Sequence, residues 1–204
     1  HTFCHAIPDR WYQMGVMLSA TDCMNWLGRI TGQSPADLTA GLGEELQPPG
    51  PVTFMPYLSG ERTPHNSASL RGGFQGLSIA TTAEDLARAV MEGVCYGLRD
   101  CLEALRKTGA QLDSCLVIGG GSKSAYWVKL LATILDLPLQ LPKDGEFGAA
   151  LGAARLARLA VTGEDPAEVL TAPESAMTVA PDPLLRDGYE AGYAAFRRRA
   201  AELT

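Results

Sequence analysis

The run Val117-Ile118-Gly119-Gly120-Gly121-Ser122-Lys123-Ser124 sets three consecutive glycines between a short apolar segment and an amphipathic one. Glycine has no Cβ, so the backbone there can approach a ligand closely and adopt positive φ. A helix starting at that point adds unpaired N–H groups and the positive end of its dipole. The chemistry open to such a turn is binding of a phosphate or a ribose edge. The order is not GxGxxG, because Ser124 stands at the sixth position, and not GxxxxGK[ST], because Lys123 follows Ser122. A tight strand-to-helix turn with no ligand is the alternative.

Two further segments carry candidate chemistry. Glu146-Phe147-Gly148-Ala149-Ala150-Leu151-Gly152-Ala153-Ala154 concentrates small residues on one helical face. Such a face suits close packing against another helix. Met55-Pro56-Tyr57-Leu58-Ser59-Gly60-Glu61-Arg62-Thr63-Pro64-His65 gathers Glu, Arg and His in a loop braced by prolines. A Glu61–Arg62 pair, or Arg62 with another carboxylate, would be a structural use of it. His65 alone reads as a loop histidine. There is no HExxH, no Cys/His spacing for zinc and no GxSxG elbow.

The elements that must position these residues follow from periodicity and punctuation. Residues 2–7 and 11–17 read as extended, with Pro8-Asp9 as a turn. A helix over about 19–31 carries Cys23, Met24, Trp26, Leu27 and Ile30 inward and stops at Gly32. A short helix near 35–42 precedes Gln47-Pro48-Pro49-Gly50-Pro51, and 52–55 is a strand. Residues 72–79 are glycine-rich and extended. The longest helix covers about 83–107, with Thr82 and Asp85 as a capping-box pair and Gly109 closing it. The strand Cys115–Ile118 leads into the glycine turn, and a helix after Ser122 carries Trp127, Leu130, Leu131, Ile134 and Leu135 inward. Strand 139–141, a helix over 146–161, a looser stretch 162–183 and a helix over about 184–202 complete the chain. Strands alternating with helices predict an α/β fold, a parallel or mixed sheet flanked by helices, with ligands at the carboxyl ends of the strands.

Composition narrows the function class. The 204 residues are 46% hydrophobic and 20% charged, with a formal net charge of −6. That balance argues against a general nucleic-acid binder, whose signature is a basic face. No apolar run reaches the roughly 20 residues of a membrane span. Five cysteines without a CxxC pair read as buried reduced thiols, and with them a cytoplasmic location. The chain starts at His1, which reads as a processed chain or a piece of a longer one.

The three segments, in this order, resemble the C-terminal domain of the FGGY carbohydrate kinases. The most specific match is Gly72-Gly73-Phe74-Gln75-Gly76-Leu77, seven residues, then Asp85-Leu86-Ala87-Arg88-Ala89-Val90-Met91-Glu92. The loop 54–65, and Met17-Leu18-Ser19-Ala20-Thr21 leading to Trp26, resemble the branch that acts on D-xylulose. The resemblance implies a ribonuclease-H-like (actin-like ATPase) domain. Residues 1–204 would be its C-terminal nucleotide-binding part, incomplete at the N-terminal end, with the N-terminal sugar-binding domain absent. It implies ATP and Mg²⁺, a sugar acceptor (D-xylulose ahead of ribulose, gluconate or glycerol), and a homodimer. A non-catalytic actin-like nucleotide-binding module is the rival. Nucleotide contacts carry over to Gly120, Gly121 and Ser122, and by alignment to Thr21, Asn25 and Ala125. Residues 146–154 resemble a connection on which the two domains hinge. No catalytic base and no metal ligand carries over, so this chain alone is expected to be inactive.

Overall fold

The computed structural model describes residues 1–143 and 148–203. Thus Glu146 and Phe147, which open one of the segments singled out above, lie outside the described residues. Strand β1 (Thr2–Cys4) pairs antiparallel with β2 (Trp11–Gln13), and Asp9 turns between them at φ 58°. Helix α1 (Asp22–Thr31) ends on Gly32 in the left-handed region. Helix α2 (Pro35–Ala40) follows at once and carries a full capping box between Ser34 and Asp37. Strands β3 (Thr53–Met55) and β4 (Gly73–Gln75) form an antiparallel pair with Phe54 opposite Phe74.

The organising element is α3 (Ala83–Arg106). Thr82 accepts the Asp85 N–H at 3.1 Å, and Asp85 accepts the Thr82 N–H at 2.9 Å, so two otherwise orphaned donors are satisfied together. Its buried stripe includes Val90, Met91, Val94 and Cys95. Gly93 lets the helix lie directly on β3, because a Cβ there would collide with the Phe54 carbonyl oxygen. Trp26 of α1 stacks on Phe54 and Phe74 with centroids 5.8 and 6.1 Å apart. These rings, with Leu27, Tyr189 and Phe196, form the main core.

A second, smaller core lies under a three-stranded sheet. Strand β5 (Cys115–Leu116) pairs parallel with β6 (Leu139–Pro142), which pairs antiparallel with β7 (Ser175–Val179). Helix α4 (Ala125–Leu135) covers it through Val128, Ala132 and Leu135. Helices α5 (Gly148–Thr162), α6 (Pro166–Val169) and α7 (Arg186–Leu203) complete the chain.

Several expectations change. The stretch 162–183 is not merely loose: it holds α6 and β7. Ile30 is 60% exposed, because it lies one turn past Trp26 on the flank of the buried stripe. The small face of α5 does not pack inward: Ala149, Ala150, Gly152 and Ala153 are exposed. The cysteines are free thiols, but Cys4 is exposed and Cys115 only half-buried. Burial pushes the Cys23 and Cys101 thiols up to about 12, which makes them inert.

Candidate functional site

The pairing of β5 and β6 runs on through Val117, whose N–H donates to Gln140 O at 2.9 Å. Then the chain turns. Gly119 takes φ 89° and ψ −179°, a region open essentially to glycine alone. Gly120–Lys123 is one turn of 3-10 helix, and α4 begins only at Ala125. The sequence reading placed the helix directly after Ser122. Instead Ser124 caps it, accepting the Trp127 N–H at 3.3 Å. The Ser122 hydroxyl is used inside the turn, donating to Gly119 O at 2.7 Å. The first N–H groups of such a turn have no partner within it, which leaves those of Gly120 and Gly121 available to a ligand.

Across from the turn stands the N-terminus of α1. Thr21 occupies its cap position but makes no side-chain capping bond. A Cβ on Gly121 would lie 3.0 Å from the Thr21 methyl, so the two walls touch because Gly121 has none. Between them opens a cleft of about 420 Å³. Thr21, Asn25, Gly120 and Gly121 all line it, together with Lys123 and Ser124. Four of the six sequence-predicted contacts therefore share one cavity. The other two do not. Ser122 and Ala125 line a separate cavity of about 640 Å³ beside Glu44, Leu141 and Val179. Ser122 also borders an apolar cavity of about 300 Å³ behind the turn.

Sequence reasoning missed the apolar part of the lining, which Met24, Pro35, Ala36 and Trp127 supply. The Ser34–Asp37 capping box could have announced α2, but nothing in its spacing says that it packs opposite a glycine turn. The lining thus combines the glycine turn and Lys123 with an indole and aliphatic groups. A phosphorylated ligand with a flat apolar portion fits that combination.

The loop 54–65 stays out of the cleft. Glu61 makes no pair with the Arg62 guanidinium. Its Oε1 accepts the backbone N–H groups of Arg62 at 2.7 Å and Leu18 at 3.1 Å. Burial pushes this carboxyl above its ordinary value, against those two hydrogen bonds. His65 meets the Tyr57 hydroxyl at 3.1 Å, and burial pushes the imidazole down, opposed by the charge of Asp100. Among the described residues no three His, Cys, Asp or Glu side chains converge on a point that could hold a metal ion. The side chains around the cleft therefore do not fit a protein-built Mg²⁺ site. No described helix is long and apolar enough to cross a membrane.

Comparison with known proteins shows the family of the chain. The profile described as "FGGY family of carbohydrate kinases, C-terminal domain" matches residues 1–161, and these include both walls of the cleft. The chain belongs to the FGGY family of carbohydrate kinases. Its similarity to the xylulose kinase of Escherichia coli (strain K12) is 46% identity over 166 residues, 80% of this chain and 34% of that protein. A solved xyloylose kinase from Brucella ovis superposes with a TM-score of 0.93 at 47% identity, over 100% of this chain and 42% of that one. A gluconate kinase from Lactobacillus acidophilus gives 0.81 at 27%, over 99% of this chain and 42% of its own. The fold of this FGGY chain is accordingly the α/β, ribonuclease-H-like (actin-like ATPase) class. The chain spans about a third of the length of the curated relatives it matches.

Proposed function

We propose that this chain is the nucleotide-binding C-terminal domain of an ATP-dependent sugar kinase whose acceptor is D-xylulose. The observation that carries the reading is the contact of the glycine turn with Thr21 in one cleft of mixed polar and apolar lining. The N–H groups of Gly120 and Gly121 would bind the ribose–phosphate part of ATP. Trp127 and the first turn of α2 would bind the base. Lys123 adds positive charge at the phosphate end.

The reaction joins a sugar hydroxyl oxygen to the γ-phosphorus and breaks the bond from that phosphorus to the β-bridging oxygen. The hydroxyl proton must go to a base. No described side chain at the cleft is placed for that task, since Thr21, Asn25, Thr39, Lys123 and Ser124 are its polar lining. This chain's share is positioning: it holds the nucleotide while another domain presents the sugar and the base. The ATP reaction and the free thiols suit the cytoplasm. Xylulose is favoured over gluconate because the relatives at 46% and 47% identity are xylulose kinases, while the gluconate kinase stands at 27%, level with two further xylulose kinases.

The test is ADP formation in a coupled assay. The chain alone should show no D-xylulose-dependent turnover. A chimera in which it replaces the matching third of the Escherichia coli xylulose kinase should recover turnover. Robust turnover by the chain alone, or a folded but inactive chimera, would contradict the reading.

A further inference from the structure

Glu61 is a carboxylate with only 1% of its surface exposed. It sits in a loop, away from the cleft. Its Oε1 accepts two backbone N–H groups, while its Oε2 is buried with no hydrogen-bond partner among the described residues. A backbone pair with Ser67, 2.8 Å in each direction, fixes the residue that carries it. Holding a carboxyl group in such surroundings is unfavourable unless the bonds it makes are needed.

One of those bonds comes from Leu18, at the end of the segment 14–18, which runs between this loop and α3. Val16 N–H donates to Thr63 Oγ1 at 3.0 Å, and Thr63 N–H donates to Val16 O at 3.0 Å. Leu18 N–H donates to Glu61 Oε1. On the other side, Gly15 lies against Cys101 and Met17 against Gly97, both on α3. The segment is thus clamped from both sides. Three residues after Leu18 comes Thr21, whose methyl meets Gly121. A continuous path of contacts leads from Glu61, through the clamped segment, to the point where the two walls of the cleft touch.

We propose that Glu61, assisted by Thr63, is a positioning residue: it clamps the segment 14–18 and thereby sets Thr21 against Gly121 across the nucleotide cleft. The importance for binding rests on the nucleotide reading above. The placement of Thr21 does not.

The test compares Glu61→Gln, which keeps an oxygen acceptor, with Glu61→Leu, which removes it at similar volume. The first readout is the nuclear Overhauser contact between the Thr21 methyl and the Gly121 Hα protons. The second is the affinity for Mg-ADP by calorimetry. The Gln variant should keep the contact and stay within about threefold of the parent affinity. The Leu variant, with cooperative melting retained, should lose the contact and weaken Mg-ADP about tenfold. Tyr189→Phe serves as a control, because it removes the bond from Tyr189 to Gln47 O elsewhere in the core. It should lower the melting temperature and leave both readouts unchanged. A folded Leu variant that keeps the contact overturns the proposal. If the parent binds no Mg-ADP, the nucleotide reading fails and the Thr21–Gly121 contact alone decides the positioning role. If the Leu variant does not fold, Thr63→Val decides: a weakened contact supports the clamp, and an unchanged one overturns it.

Discussion

Glu92 shows what one buried carboxyl does to this molecule. It lies on α3 at 4% exposure, and its oxygens accept the Gly50 N–H at 3.0 and 3.3 Å. Arg88 Nε is 3.5 Å away. Burial dominates over both and pushes the carboxyl from 4.5 up to about 7. Between those pH values the folded chain keeps a proton that the unfolded chain has released. The stabilising contribution is therefore whole below about pH 4 and is lost as the pH climbs through about 7. The size of the loss is on the order of 3 kcal/mol. Glu92→Gln should remove this slope while keeping an acceptor for Gly50. Urea midpoints of parent and variant at pH 5 and pH 8 check it, since the parent should lose more stability between the two. Equal losses would contradict the assignment. At this scale residue type and family likeness picked out Gly120, Gly121, Thr21 and Asn25, which line the cleft. They did not announce Pro35 and Ala36 as part of the lining, because neither residue type nor the spacing of α2 shows what that helix packs against.

Among the elements, α3 was the most legible. Its cap, its apolar period and its length all point the same way, and the described helix ends within a residue of the expected limits. The cap gives a measurable effect. Thr82→Ala removes the acceptor for Asp85 N–H and should cost ~1 kcal/mol in urea-measured stability, with little change in the slope against denaturant. No loss would mean that the helix end is held by packing alone. Strand β7 was not legible, for a physical reason. Ser175, Ala176, Met177 and Thr178 are all exposed, so no buried alternation marks them. The strand exists because β6 offers it a ladder, from Leu139 with Val179 to Leu141 with Met177. Helix α5 teaches the converse. Its alanines and glycines announce a helix correctly, yet they do not say whether anything packs on it, and here that face meets solvent.

In the whole molecule, two cores divide the work. The larger one fixes α1 and α3 against β3 and β4, and so holds the Thr21 wall. The smaller one fixes α4 on the β5–β6–β7 sheet, and so holds the glycine turn. The cleft is lined by the Thr21 wall on one side and by the glycine turn on the other. That arrangement is the basis of the proposed nucleotide seat. The most direct test is calorimetric titration with Mg-ADP of the parent chain and of Gly121→Val. The Cβ of the added side chain would lie 3.0 Å from the Thr21 methyl, on the wall of the cleft. The account predicts saturable binding by the parent and its loss in a variant that still melts cooperatively. Binding of equal strength by both would contradict it, because the nucleotide would then be seated somewhere other than the glycine turn.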